Sequence, residues 1–297
     1  MRVVKLLSVG LTGTAQEIRE RLQEDCKTVI KDGFRVAIDE INKGNYTFIG
    51  CNVMEGELSF RNYERIKNSM KNHVANMLTE FIVLREEKKI VAKIIEEHYS
   101  YYTKDERKKI YDRALKLLSN NNEGNVDFNI TKRCTTVLEK ILQYLDNHHE
   151  LVLEGFINFR LKEYREKLVQ FVDKAADDFM MDLEYQEFIR VLRCFVDIQE
   201  PQVEEVHVVI VQPGLYKIVN IDGQSISNQH FEKFLLQREE HINYEDLLIT
   251  ALITIAPYHV MVHMHEWKDA TTKNVVETIK HIFIGRVVIC EGCDFCY

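Results

Sequence analysis

A chain of 297 residues that is 45% apolar and 29% charged can bury a real core, in one large domain or two to three small ones, and it is not a disordered polymer. Its net charge of −8 lacks the basic excess of a surface devoted to nucleic acid. No apolar run approaches the ~20 residues of a membrane helix; the longest, Leu247 to Ala256, falls well short.

The first seven residues carry an early positive charge, but Lys5 interrupts the apolar run and no small-x-small cleavage site follows. The segment Val3 to Val9 therefore reads as a strand rather than a signal peptide, which makes the cytosol the expected compartment and reduced thiols the expected state of the seven cysteines. Ala15 to Lys31 reads as a helix, and Phe34 to Ile41 and Tyr46 to Met54 as two strands joined through the turn residues Lys43-Gly44-Asn45.

A helical stretch follows. Tyr63, Ile66, Met70, Val74, Met77, Phe81 and Leu84 recur at three and four residues, which lines one helix face. Thr103 with Glu106 has capping-box spacing at the start of another helix. Residues 120–125 (Asn-Asn-Asn-Glu-Gly-Asn) read as a loop, after which the period resumes at Ile130, breaks at His148-His149, and continues through Phe156, Tyr164 and Phe171. None of the three prolines falls in the first two hundred residues, so long helices are permitted there.

Beyond Pro201 the grammar changes. Val206 to Val211 and Leu215 to Ile221 are strand-like, the second ended by Asp222-Gly223. Asn243 caps a helix that stops at Pro257; His259 to Met264 reads as a strand, Thr272 to Phe283 as a helix and Arg286 to Cys290 as a last strand. That order is a β-α-β unit with parallel strands. The expected fold is α+β: a small N-terminal mixed unit (1–58), a central helical bundle (59–200) and a C-terminal α/β unit (201–297).

The most pointed chemistry lies at the end, where Cys290, Cys293 and Cys296 recur at three residues. Thiolates so spaced are soft ligands for zinc or iron, but three do not complete the usual four-ligand shell. Alternation along the preceding strand puts His259, His263 and His265 on one face. His263 and His265 close that strand and Cys290 closes the next, so both groups emerge at one edge of a parallel sheet. Cys290, Cys293 and Cys296 with His263 or His265 would supply the Cys₃His set that zinc favours; the iron–sulphur alternative lacks its fourth cysteine. The bland reading is a free tail beside a solvated histidine face.

Other clusters take simpler readings. Phe156, Phe159 and Tyr164 among Arg160, Lys162, Arg165 and Lys167 are core residues beside a basic stripe rather than a nucleic-acid platform. Asp173, Asp177, Asp178 and Asp182 lack the Glu-x-x-His pairs of a di-iron bundle and read as an acidic solvated face. No phosphate loop, G-x-G-x-x-G, H-E-x-x-H or G-x-S-x-G motif is present, which lowers the expectation of an enzyme. A hydrolase or transferase built on Glu245, Asp246 and His207 is the third-ranked reading.

Several segments in order resemble the YtxC-like sporulation proteins of endospore-forming bacteria: Ile130-Thr131-Lys132-Arg133-Cys134, residues 154–164 (Glu-Gly-Phe-Ile-Asn-Phe-Arg-Leu-Lys-Glu-Tyr), residues 184–189, Gln199-Glu200-Pro201, Glu205-Val206-His207, and residues 244–249 through Ala256-Pro257. The resemblance implies a sporulation-associated protein with no assigned catalytic residues. The leading expectation is thus a cytosolic, non-enzymatic protein acting through a protein partner. The alternative is a metal-binding regulatory or structural protein.

Overall fold

The computed structural model describes residues 4–13, 15–31, 35–55, 60–119, 128–212, 215–226, 244–264 and 270–296. The fold is α+β, with helices predominating and two four-stranded mixed sheets, one in each of two compact units, Met1–Phe179 and Met180–Tyr297.

In the first unit, β1 (Val4–Thr12) pairs antiparallel with β3 (Tyr46–Glu55), which forms a hairpin with β2 (Arg35–Lys43) around Gly44-Asn45. Helix α1 (Gln16–Lys31) buries Ile18 and Leu22. A three-residue strand, β4 (Glu150–Val152), follows the His148-His149 break and adds to β1 in parallel, giving the order β2-β3-β1-β4.

The helices of this unit are α2 (Phe60–Phe81), α3 (Glu87–His98), α4 (Lys104–Ser119), α5 (Ile130–Asn147), α6 (Leu153–Arg160) and α7 (Lys162–Ile198), whose residues beyond Phe179 belong to the second unit. Thr103 and Glu106 form the anticipated capping box: the Thr103 amide donates to Glu106 Oε2 at 2.8 Å and the Glu106 amide to Thr103 Oγ1 at 3.3 Å. Asn129 caps α5 by accepting from the Lys132 amide at 2.8 Å.

Between α2 and α3 lies a π-helical turn, Ile82–Glu86. Its extra residue rotates the apolar face, so Ile82 and Val83 are buried while Leu84, expected on that face, is 51% exposed. Phe159 likewise departs from its expected core place. It sits at the end of the short α6, which stops before Leu161, and it points to solvent, whereas Phe156 and Tyr164 are buried.

The second unit has β5 (Val203–Gln212), β6 (Leu215–Val219), α8 (Tyr244–Ile255), β7 (Pro257–Met264), α9 (Ala270–Ile282), β8 (Val287–Ile289) and a 3₁₀ turn, Asp294–Cys296. Strands β5, β7 and β8 are parallel and β6 pairs antiparallel at the edge, in the order β6-β5-β7-β8. Strand alternation sorts the faces. Val206, Val208, Ile210, Val260 and Val262 pack with Leu248, Leu252 and Ile255 of α8 and with Val275, Ile279, Ile282 and Phe283 of the α9 region. These helices thus cover one face of the sheet. The opposite face carries Glu205, His207 and His263, and the C-terminal segment folds onto it.

Candidate metal centre

His263 stands one residue past Val262 on β7 and so faces away from the α8–α9 layer, yet it is only 2% exposed. Its cover comes from the chain end. After β8 the Cys290 amide donates to the Val262 carbonyl at 2.9 Å, carrying the ladder one residue further. The chain then reverses at Gly292, whose φ of +143° is a conformation that side chains disfavour. The 3₁₀ turn closes with the Cys296 amide donating to the Cys293 carbonyl at 2.9 Å. Phe295 lies over both imidazoles, with ring centroids 5.6 Å from His207 and 5.3 Å from His263. The loop after β6 backs that ring: Gly223 holds φ +77°, a conformation that favours glycine, and a Cβ there would crowd the ring at 3.2 Å.

The result is a cluster of four donors. Cys293 Sγ is 3.2 Å and Cys296 Sγ 3.6 Å from His263 Nδ1, and the two sulfurs are 3.9 Å apart. With Cys290 included, all the ligand atoms lie within 4.8 Å of one another. Tetrahedral zinc with Zn–S of about 2.3 Å and Zn–N of about 2.0 Å requires S···S near about 3.8 Å and S···N near about 3.5 Å. The three separations among His263, Cys293 and Cys296 lie near those edges, and Cys290 completes the set within 4.8 Å. A thiol-to-imidazole hydrogen bond would account for one short distance, but not for the convergence of four soft donors.

Local electrostatics suit the ligand forms of His263 and Cys290 and oppose that of Cys296. Burial, then the neighbouring His207, pushes His263 below the usual histidine range and favours the neutral imidazole that binds metals. The Gly292 amide lowers the Cys290 thiol by stabilising its thiolate, while burial raises Cys296. The Phe295 amide donates to Cys293 Sγ at 3.4 Å, a further bond that a thiolate accepts well.

Of the residues singled out in the sequence, Cys290, Cys293, Cys296 and His263 come together. His259 is exposed and outside the group, and His265 lies outside the described residues. His207, paired in the sequence reading with Glu245 and Asp246, instead touches His263: its Nδ1 is 2.8 Å from His263 Nε2 and the rings stack at 5.0 Å. Glu245 and Asp246 occupy the first turn of α8, on the layer that His207 faces away from. The contact escaped sequence reasoning because it depends on the register of β5 with β7, in which His207 stands opposite Met261 and Val209 opposite His263.

The sequence profile of the YtxC-like family matches residues 72–288, a stretch containing His207 and His263 and ending just before Cys290. The chain belongs to the YtxC-like family. Over 219 residues it is 27% identical to a Bacillus subtilis (strain 168) protein named "Uncharacterized protein YtxC", covering 71% of this chain and 74% of that one. No solved structure matches this YtxC-like protein. Among its described residues, no helix is long and apolar enough to cross a membrane.

Proposed function

We propose that this YtxC-like protein is a zinc-binding protein in which Cys290, Cys293, Cys296 and His263 hold one ion that fastens the chain end to the sheet of the C-terminal unit. The observation that carries this reading is the packing of Cys293, Cys296 and His263 at separations of 3.2–3.9 Å, with Cys290 bringing the set to four donors inside 4.8 Å. A full set of four protein ligands is the mark of a structural or regulatory ion rather than a catalytic one, which keeps an open position. Zinc is preferred over an iron–sulphur cluster because the fourth donor is an imidazole and, among the described residues, no fourth cysteine joins the group.

The ion's role is stabilisation. Among the described residues of the tail Cys296 is buried and Phe295 half-buried, and ligand bonds would add free energy to that burial. The test is metal analysis of the chain purified without immobilised-metal affinity, beside a triple Cys290→Ser, Cys293→Ser, Cys296→Ser variant. About one zinc per wild-type chain and almost none in the variant is expected; equal, near-zero metal in both would end the reading.

In the cell, the resemblance to sporulation proteins supports a cytosolic, non-enzymatic role in spore formation through a protein partner. Replacing the cell's own copy with the triple serine variant should lower the yield of heat-resistant spores. An unchanged yield on complete deletion would rule that role out.

A further inference from the structure

The zinc ligands do not end the ordered polar chain on this face of the sheet. His263 turns Nδ1 toward the thiols and Nε2 toward His207 Nδ1, 2.8 Å away. His207 is itself only 7% exposed, and its remaining nitrogen, Nε2, lies 3.1 Å from Glu205 Oε1, at ion-pair distance but out of line for a hydrogen bond. Both nitrogens of His207 are therefore directed away from the sulfurs, which leaves it outside the ligand set.

We propose that His207, backed by Glu205, is a positioning residue of the metal centre: it accepts the Nε2 proton of His263 and so holds that ring with Nδ1 bare and aimed at the ion. This inference rests on the zinc reading above. The proton positions follow in sequence. A metal on Nδ1 needs the lone pair there, so the His263 proton sits on Nε2. That proton is donated to His207 Nδ1, which must then be the bare nitrogen of its own ring. The His207 proton consequently sits on Nε2 and faces the Glu205 carboxylate.

This assignment keeps the His263–His207 hydrogen bond and sets the His207 Nε2 proton at ion-pair distance, 3.1 Å, from Glu205. A His263 ring rotated about its Cβ–Cγ bond would lose the Nε2 bond and bury an N–H without a partner, an arrangement that costs free energy. Outer bonds of this kind fix ring orientation and raise ligand basicity, and losing one typically weakens metal binding 10–100-fold. Strand spacing explains why the pieces fit. Glu205 and His207 are two residues apart on β5 and so share a face, and β5 lies hydrogen-bonded beside β7. Stacking with His263 and the Phe295 ring confines the His207 imidazole laterally.

The test uses the full chain titrated with zinc against a competing chelator of known affinity, in four forms: wild type, His207→Phe, His207→Asn and Cys293→Ser. Asparagine places its Oδ1 where histidine carries Nδ1, so it keeps the acceptor without the ring; phenylalanine keeps the ring without the acceptor. Affinity should fall roughly 10–100-fold in H207F and recover to within about threefold of wild type in H207N. Nitrogen-15 spectra of the imidazoles in the zinc form should show His263 protonated at Nε2 and bare at Nδ1 in wild type and H207N. Equal zinc affinity in wild type and H207F would overturn the inference while leaving the site standing, as would equal weakening in H207F and H207N. Should H207F fail to fold, the H207N affinity and the wild-type nitrogen assignment decide alone: loss of more than tenfold, or a proton on Nδ1, contradicts it. If wild type binds no zinc and matches C293S, the zinc reading itself has failed.

Discussion

Glu87 shows how a single residue can contradict its local pattern. Between Glu86 and Lys88 on a helical stretch it reads as solvent-facing, yet it is 4% exposed. There it accepts a hydrogen bond from the Tyr164 hydroxyl and pairs with Arg133, whose Nε is 3.2 Å away. Arg133 in turn donates to the carbonyls of Leu118 at 2.9 Å and Phe128 at 3.2 Å, tying the end of α4 and the start of α5 to the group. Burial dominates the titration of Glu87 and raises it above the ordinary carboxylate range, against the lowering pull of Tyr164 and Arg133. The sign follows: the contribution of a raised carboxyl is present below its ordinary pKa and lost as pH rises through the raised one. Thermal melts of wild type and Glu87→Gln between pH 4 and pH 8 should therefore move in favour of the glutamine variant as pH rises. The opposite trend would mean that Arg133 outweighs burial. Nothing in the sequence flags Glu87, because its burial is produced by three helices meeting. The cysteine triad and His263 are different: thiol spacing and strand alternation are local, and their juxtaposition was readable. His207 lies between these cases, visible as a residue but not as a neighbour.

Among the elements, the β-α-β unit was the most legible, since β-branched runs and Pro257 punctuate it. Helix α8 ends with Ala256 at φ +45° directly before Pro257, the proline having no amide to continue the helix. Strand β4 was not legible, because three residues carry no period and only pairing with β1 defines them. The π turn was hidden for a related reason. The 3.6-residue period runs correctly through Val74 and Leu78 and then slips by one, which is visible only when burial is known: Ile82 and Val83, then Glu87, Val91 and Ile94. Removing the exposed Leu84 would restore a regular spacing from Leu78 to Ile94 without altering what is buried. A Leu84 deletion should therefore fold, with a melting temperature within about 5 °C of wild type, on the scale of a ~1 kcal/mol change. Loss of cooperative unfolding would show that the extra residue is required for the helix to fit its neighbours.

For the molecule as a whole, the α+β class was apparent from the change of grammar near Pro201, and the chain forms two compact units, each with its own mixed sheet. Among the described residues, the large apolar cluster of the second unit lies between its sheet and helices. On the other face, among the described residues, the segment 290–296 covers His263, held in place by a handful of side chains. The account therefore turns on whether a metal completes that closure. X-ray absorption at the zinc edge on the intact chain tests this most directly. The account predicts three sulfur scatterers at about 2.3 Å and one nitrogen at about 2.0 Å. A shell of oxygen and nitrogen alone, or a protein that retains no zinc after dialysis, would contradict it.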